Sequence, residues 1–333
     1  MKKFINQPEN VVREMLEGIA SAYPELVGVN FSPNFIYRKD SPIDGKVSII
    51  SGGGSGHEPL HGGYVGYGML DAACPGDVFT SPTPDQMYEA AKKTNSGAGV
   101  LFVVKNYTGD VMNFDMAKEM LQGEDINVDS VLVDDDVAVE NSTYTAGRRG
   151  VGGTVFVEKI VGAAAEEKKS LTELKLLGDK VVKNVKSIGI ALTSCTVPAA
   201  GKPTFALEEN EFEFGIGIHG EPGRERLKLK SADEITSMMM EAILENIEVN
   251  KNDEIALLLN GMGGTPLMEL YIASRKATAI LKDKQINIYK HIIGNYITSL
   301  EMQGVSITLL KLDDELKHFL DAKVHTIGLR WGM

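Results

Sequence analysis

The chain has 333 residues, 43% of them hydrophobic and 24% charged, the balance of a compact protein with room for two ordinary domains. Its formal net charge of −12 argues against nucleic acid or an anionic membrane as the main partner, because both repel an acidic surface at long range. The opening MKKFINQPENVVREML carries acids and amides where a secretory signal needs an apolar core, and no apolar run reaches membrane-spanning length, so a cytoplasmic setting is expected.

In chain order, KVSIIS (46–51), GAGVLFVVKN (97–106) and VDSVLVDDD (128–136) read as strands, with helical patterns at TPDQMYEAAKKTNS (83–96) and DVMNFDMAKEML (110–121) between them. Strands this apolar on both faces predict a mainly parallel sheet covered by helices. GGTVFVEKIVGAAAEE (152–167) and SLTELKLLGDKVVKNV (170–185) predict two helices that close this unit, the second opened by a Ser170, Thr172 and Glu173 cluster suited to a cap. A strand-rich alternation follows: SIGIALTSCTVP (187–198), EFEFGIGIH (211–219), DEIALLLNGMGG (253–264), INIYKHIIGNYI (286–297) and VSITLLKL (305–312), with helices at 231–247 and 266–284. The expected fold is α/β: an N-terminal, mainly parallel α/β sheet domain over residues 1–184, then a second, two-layer α+β domain over 185–333. The two cysteines, Cys74 and Cys195, sit in no disulfide framework or metal spacing.

Four stretches invite chemistry. SGGGSGHEP (51–59) is expected to form a glycine turn that brings backbone N–H groups to a ligand, since glycine has no Cβ and accepts positive φ. It is no P-loop, because His57 and Glu58 stand where Gly-Lys-Ser/Thr is needed, and no dinucleotide fingerprint, because His57 occupies the third glycine position. KNYTGD (105–110) follows a strand, so Lys105, Tyr107, Thr108 and Asp110 are expected to face the same crevice at the strands' carboxyl ends. Asp110 fits a proton acceptor and a helix N-cap equally well. GIGIHGEPG (215–223) places His219 at a strand end entering a sharp turn, where an imidazole can be presented to a pocket; a purely structural histidine is the competing reading. The run Asp134, Asp135, Asp136 fits a magnesium site or a polar strand end whose members face different ways and pair with Arg148 or Arg149. His57 and His61 are four apart, but Pro59 between them breaks the helix that would make them a metal pair, and no metal is expected. His61, His291, His318 and His325 have no local setting that singles them out.

Taken together, SGGGSGHEP, PGDVFTSPTPDQ, KNYTGD, DDDVAVE, AGRRGVGGT, CTVPAAGKP, EFGIGIHGEPG and the closing VHT and RWG resemble, in order and over essentially the whole chain, the dihydroxyacetone-binding subunit family of dihydroxyacetone kinases. The resemblance implies a homodimeric, two-domain protein that binds dihydroxyacetone. It further implies that His219 bonds covalently to the substrate carbonyl as a hemiaminal, that His57 and Asp110 are polar active-site residues, and that Gly54 and Lys105 contact the substrate. ATP-dependent members carry a helical nucleotide module after this one, whereas this sequence ends soon after LRWG. The form implied is therefore the bacterial one, in which a separate donor subunit holding ADP and magnesium is charged by a phosphotransferase-system phosphocarrier from phosphoenolpyruvate. No cofactor is expected on this chain. The short segment after GEPG departs from the family pattern. The alternative within the same resemblance is a dihydroxyacetone-binding sensor or coactivator that acts with a transcriptional regulator.

Overall fold

The computed structural model describes residues 2–140 and 145–333. In chain order the first half contains α1 (Val11–Ala22), β1 (Val27–Phe31), β2 (Asn34–Arg38), β3 (Ser48–Ser55), β4 (Gly66–Tyr67), β5 (Ala72–Val78), α2 (Pro84–Thr94), β6 (Val100–Lys105), α3 (Thr108–Gln122) and β7 (Val128–Val133). Its sheet runs β1-β2-β5-β3-β6-β7. The four strands β5, β3, β6 and β7 are parallel, and the β1–β2 hairpin joins their edge antiparallel. Every residue of β6 is buried, as a central parallel strand with both faces covered must be.

Two helices follow, α4 (Gly153–Glu166) and α5 (Leu171–Asn184). Ser170 opens α5 with a reciprocal cap: its hydroxyl accepts the Glu173 N–H at 3.4 Å while the Glu173 carboxylate accepts the Ser170 N–H at 2.8 Å. From Gly153 to Ala165 every residue of α4 is buried, because the helix lies between two sheets and has no solvent face.

The second sheet is built from β8 (Val185–Ala191), β9 (Glu211–Phe214), β10 (Glu225–Lys228), β11 (Glu254–Gly261), β12 (Asn287–Gly294) and β13 (Gly304–Leu312), with α6 (Ala232–Leu244) and α7 (Leu267–Asp283) on one face and α4 and α5 against the other. Its order is β10-β9-β8-β13-β11-β12, antiparallel except for the β11–β12 pair. After α8 (Asp314–Asp321), β14 (Val324–Thr326) pairs with both β4 and β15 (Arg330–Trp331), which fastens the end of the chain onto the first half.

Two local expectations change. The glycine run is not a turn: Ser51 to Ser55 are the last residues of β3, paired in parallel with β5 with one shift of register between Gly54 and Ser55. The strand before His219 ends at Phe214, so the histidine stands in the loop between β9 and β10 rather than at a strand end.

Candidate functional site

The carboxyl ends of β3, β5 and β6 open on one side of the first sheet, and the loop from β9 to β10 arches over them from the second. Between them lies a cleft of about 560 Å³, walled by Gly54, Phe79, Ser81, Asp110, His219 and Glu221 among others. It is a crevice at the strands' carboxyl ends, the position where open α/β sheets hold ligands.

The glycines of β3 let other groups close in. A Cβ on Gly53 would stand 2.2 Å from the Lys105 ammonium and 3.3 Å from His61 Nε2, so only glycine lets Lys105 lie against the strand. Gly54 forms part of the cleft wall, pressed against the backbone of Phe79 and Thr80.

His57 follows immediately and is completely buried. Its Nδ1–H donates to the Thr298 carbonyl at 2.7 Å, which leaves Nε2 as the lone-pair nitrogen, and that atom has no protein partner among the described residues. Burial, reinforced by the neighbouring His219 imidazole and Lys105 ammonium, holds this imidazole well below the usual histidine range, so it is a neutral acceptor at physiological pH. Its ring stacks on Phe79, with centroids 5.0 Å apart, and meets the ring of His219 edge-on at 4.7 Å.

His219 is boxed by Phe79, His57 and Tyr107, the last also edge-on at 4.7 Å. Its Nδ1–H donates to Glu221 Oε1 at 2.8 Å, and its backbone N–H donates to Glu221 Oε2 at 3.0 Å. Nε2 therefore carries the lone pair, on a side chain that remains 18% exposed to the cleft. Burial alone would raise the Glu221 carboxyl, but His219 and Arg149 outweigh it and hold the group down to about 2. Gly217 is what admits this carboxylate, since a Cβ there would lie 2.0 Å from Glu221 Oε2.

Asp110 sits in the first turn of α3, whose N-cap is Tyr107, so the capping reading is excluded. One carboxylate oxygen accepts the Ser81 hydroxyl at 2.5 Å and the other accepts Lys105 Nζ at 3.2 Å. Lys105 itself is fully buried beneath Gly53 and is not among the groups that wall the cleft. Its ammonium holds Asp110.

The acidic run is engaged by protein. Asp135 accepts the N–H groups of Val151 and Gly153 at 2.8 and 2.6 Å and the Ser187 hydroxyl, and so anchors the start of α4. Asp136 pairs with Arg149 at 2.7 Å, and the same guanidinium reaches the Gly215 carbonyl at 2.8 Å, tying this segment to the loop that bears His219.

Sequence reasoning brought His57, Asp110, Gly54 and His219 to one place but passed over Glu221, Ser81 and the buried pair His61 and Glu158. Glu221 lay inside GIHGEPG, where a carboxylate two residues from a histidine is a visible signal. Glu158 was visible too, as one of two adjacent charges, with Lys159, in the middle of a mainly apolar helix.

A family model for the Dak1 domain matches residues 17–328. The chain belongs to the Dak1 domain family. A relative from Lactococcus lactis subsp. lactis, named PTS-dependent dihydroxyacetone kinase, dihydroxyacetone-binding subunit DhaK, is 52% identical over 334 aligned positions, covering 99% of each chain. Among solved Dak1-like structures, the dihydroxyacetone kinase from C. freundii in complex with AMP-PNP and Mg2+ superposes with a TM-score of 0.90 at 31% identity, over 99% of this chain and 61% of that one. The dihydroxyacetone kinase operon co-activator Dha-DhaQ superposes with a TM-score of 0.87 at 35% identity, over 95% of this chain and 96% of that one. Across the described residues of this Dak1 protein, no helix is long and apolar enough to cross a membrane.

Proposed function

We propose that this chain is the dihydroxyacetone-binding subunit of a phosphotransferase-system-dependent dihydroxyacetone kinase, cytoplasmic and homodimeric. The observation that carries the proposal is one cleft holding both a histidine oriented for nucleophilic addition and a separately held carboxylate: His219 on Glu221, and Asp110 on Ser81 and Lys105.

The chemistry follows from those partners. The Nε2 lone pair of His219 forms a bond to the ketone carbon, the carbonyl π pair moves to the oxygen, and that oxygen takes a proton from solvent. The positive charge left on the imidazole ring rests beside the Glu221 carboxylate. A three-carbon substrate offers little surface for ordinary binding, so the covalent link supplies the hold, and glycerol, with no carbonyl, is refused. His57 Nε2, which has no protein partner among the described residues, accepts a hydrogen bond from the bound substrate in this reading.

Transfer then needs only positioning and a base. As a terminal hydroxyl attacks phosphorus on a separate donor subunit, its proton passes to Asp110. The donor phosphate, with its ADP and magnesium, belongs to that partner subunit, which a phosphocarrier recharges from phosphoenolpyruvate. This chain supplies no P-loop, and Asp135 and Asp136 of its acidic run are occupied by backbone N–H groups and Arg149.

A coactivator role is the second reading, favoured by the likeness to Dha-DhaQ. A sensor needs the His219 link but has no use for a carboxylate held beside the bound hydroxyl. The test mixes the purified chain and dihydroxyacetone with a reconstituted donor subunit and relay, or with ATP and magnesium alone. Dihydroxyacetone phosphate formed only with the donor system supports the kinase subunit. Binding without ester in either mixture would assign the sensor role, and sustained turnover with ATP alone would overturn the donor assignment.

A further inference from the structure

Beside the cleft is a buried polar chain whose members do not wall it. Lys105, His61 and Glu158 are each no more than 5% exposed. The Lys105 ammonium has three hydrogens and three neighbours: the Gly52 carbonyl at 3.2 Å, Asp110 Oδ2 at 3.2 Å and His61 Nε2 at 3.0 Å. An ammonium can only donate, so Nε2 must present its lone pair and the ring proton must sit on Nδ1.

The far side of the ring offers that proton acceptors. Nδ1 lies 2.5 Å from Glu158 Oε1 and 3.0 Å from the Ser51 oxygen. Ser51 spends its own proton on the Val103 carbonyl at 2.7 Å, so toward the ring it can only accept. Burial, with the Lys105 ammonium alongside, holds the His61 imidazole well below the usual histidine range, which keeps the ring neutral and Nε2 free to accept. His61 does not wall the cleft, and Gly53 lies between this chain of contacts and the substrate side.

We propose that His61, whose Nε2 accepts from Lys105 while its Nδ1–H is directed at Glu158 and Ser51, is a positioning residue for phosphoryl transfer: it holds the Lys105 ammonium against Asp110 and thereby aims the carboxylate that takes the substrate proton. The inference rests on the assignment of Asp110 as that base. His61 replaced by an apolar group leaves Lys105 one acceptor short, so the ammonium turns toward what acceptors remain and Asp110 loses its fixed partner. A glutamine at the same place offers an amide oxygen to Lys105 and restores the contact. Covalent capture by His219 uses none of these groups and should be indifferent to the change.

The test has two arms on the full chain. In the first, nitrogen NMR of the histidine-labelled protein reads the His61 tautomer directly; a neutral ring protonated on Nδ1 is expected, and protonation on Nε2 or on both nitrogens would overturn the proposal. In the second, the chain is reconstituted with its donor subunit and relay. His61→Leu should lower kcat at least ~10-fold while KM for dihydroxyacetone and the adduct fraction stay within about 2-fold, and His61→Gln should recover most of the loss. Equal losses in both variants, or a loss confined to KM, would reduce His61 to core packing. If the leucine variant does not fold, the tautomer and the glutamine variant still decide. Near-normal turnover by Asp110→Asn would refute the base assignment while leaving the tautomer result standing, and in that background a further His61 substitution should add nothing.

Discussion

Replacing Glu221 with glutamine keeps the shape of the side chain and one acceptor for His219 but removes the charge. The carboxylate is only 3% exposed and holds His219 at both its ring and its backbone, at 2.8 and 3.0 Å. A buried hydrogen bond to a charged group contributes about 1.5–3 kcal/mol, which corresponds to a roughly 10- to 100-fold weaker hold on the imidazolium formed by covalent capture. Calorimetric titration with dihydroxyacetone should show that loss, and NMR with substrate labelled at the carbonyl carbon should show the ketone signal persisting where the wild type converts it to a saturated carbon. The pH dependence is fixed by sign. The folded-state value of Glu221 is depressed to about 2, so its contribution is fully present above the ordinary carboxyl range and is lost only as pH falls toward that value. The gap between wild type and variant should therefore be constant across the neutral range. Wild-type affinity in Glu221→Gln, or a gap that closes near neutral pH, would refute the role given to this carboxylate.

Asp110→Asn should preserve folding and the His219 adduct while lowering phosphoryl transfer by roughly 10²–10⁴-fold, because the amide still fits the Ser81 contact but cannot take a proton; donor-coupled turnover beside calorimetric binding checks both halves. Gly53→Ala puts a methyl group 2.2 Å from Lys105 Nζ, whose other neighbours leave it no free direction, and should cost about 1–3 kcal/mol of stability and most of kcat with little change in adduct, measured by urea midpoint and kinetics. Burial, only partly offset by Lys105, pushes the Glu158 carboxyl up to about 8, so the folded chain keeps a proton that the unfolded chain releases near 4.5. Native stability loses ground as pH rises through that window, on the order of 5 kcal/mol in full, and Glu158→Gln should gain on the wild type over the same range in urea midpoints taken at successive pH values.

The first sheet was legible because its central strands are apolar on both faces and the helices between them keep their period; β6 lies inside GAGVLFVVKN (97–106), and α3 overruns DVMNFDMAKEML (110–121) by two residues at its start and one at its end. What escaped was set by contacts distant in sequence. The short pairing of β14 with β4 joins segments more than two hundred residues apart and leaves no periodic trace. Gly52, Gly53 and Gly54 suggested a turn because glycine permits one, whereas each is required by a neighbour pressing on the strand: Cys74, Lys105 and the Phe79–Thr80 backbone. Asp110 was ambiguous for a similar reason, since the choice between cap and base turns on whether α3 begins at Thr108 or three residues later, at Val111. His61 showed nothing locally; its meaning comes from Glu158, 97 residues away, and from the lysine between it and the cleft.

The most direct measurement is the crystal structure of the protein soaked in dihydroxyacetone. Electron density should run unbroken from His219 Nε2 to the ketone carbon, with a terminal hydroxyl within hydrogen-bond reach of Asp110. Density joined to His57, or dihydroxyacetone lying unbonded in the cleft, would contradict the assignment of His219 as the residue that captures the substrate.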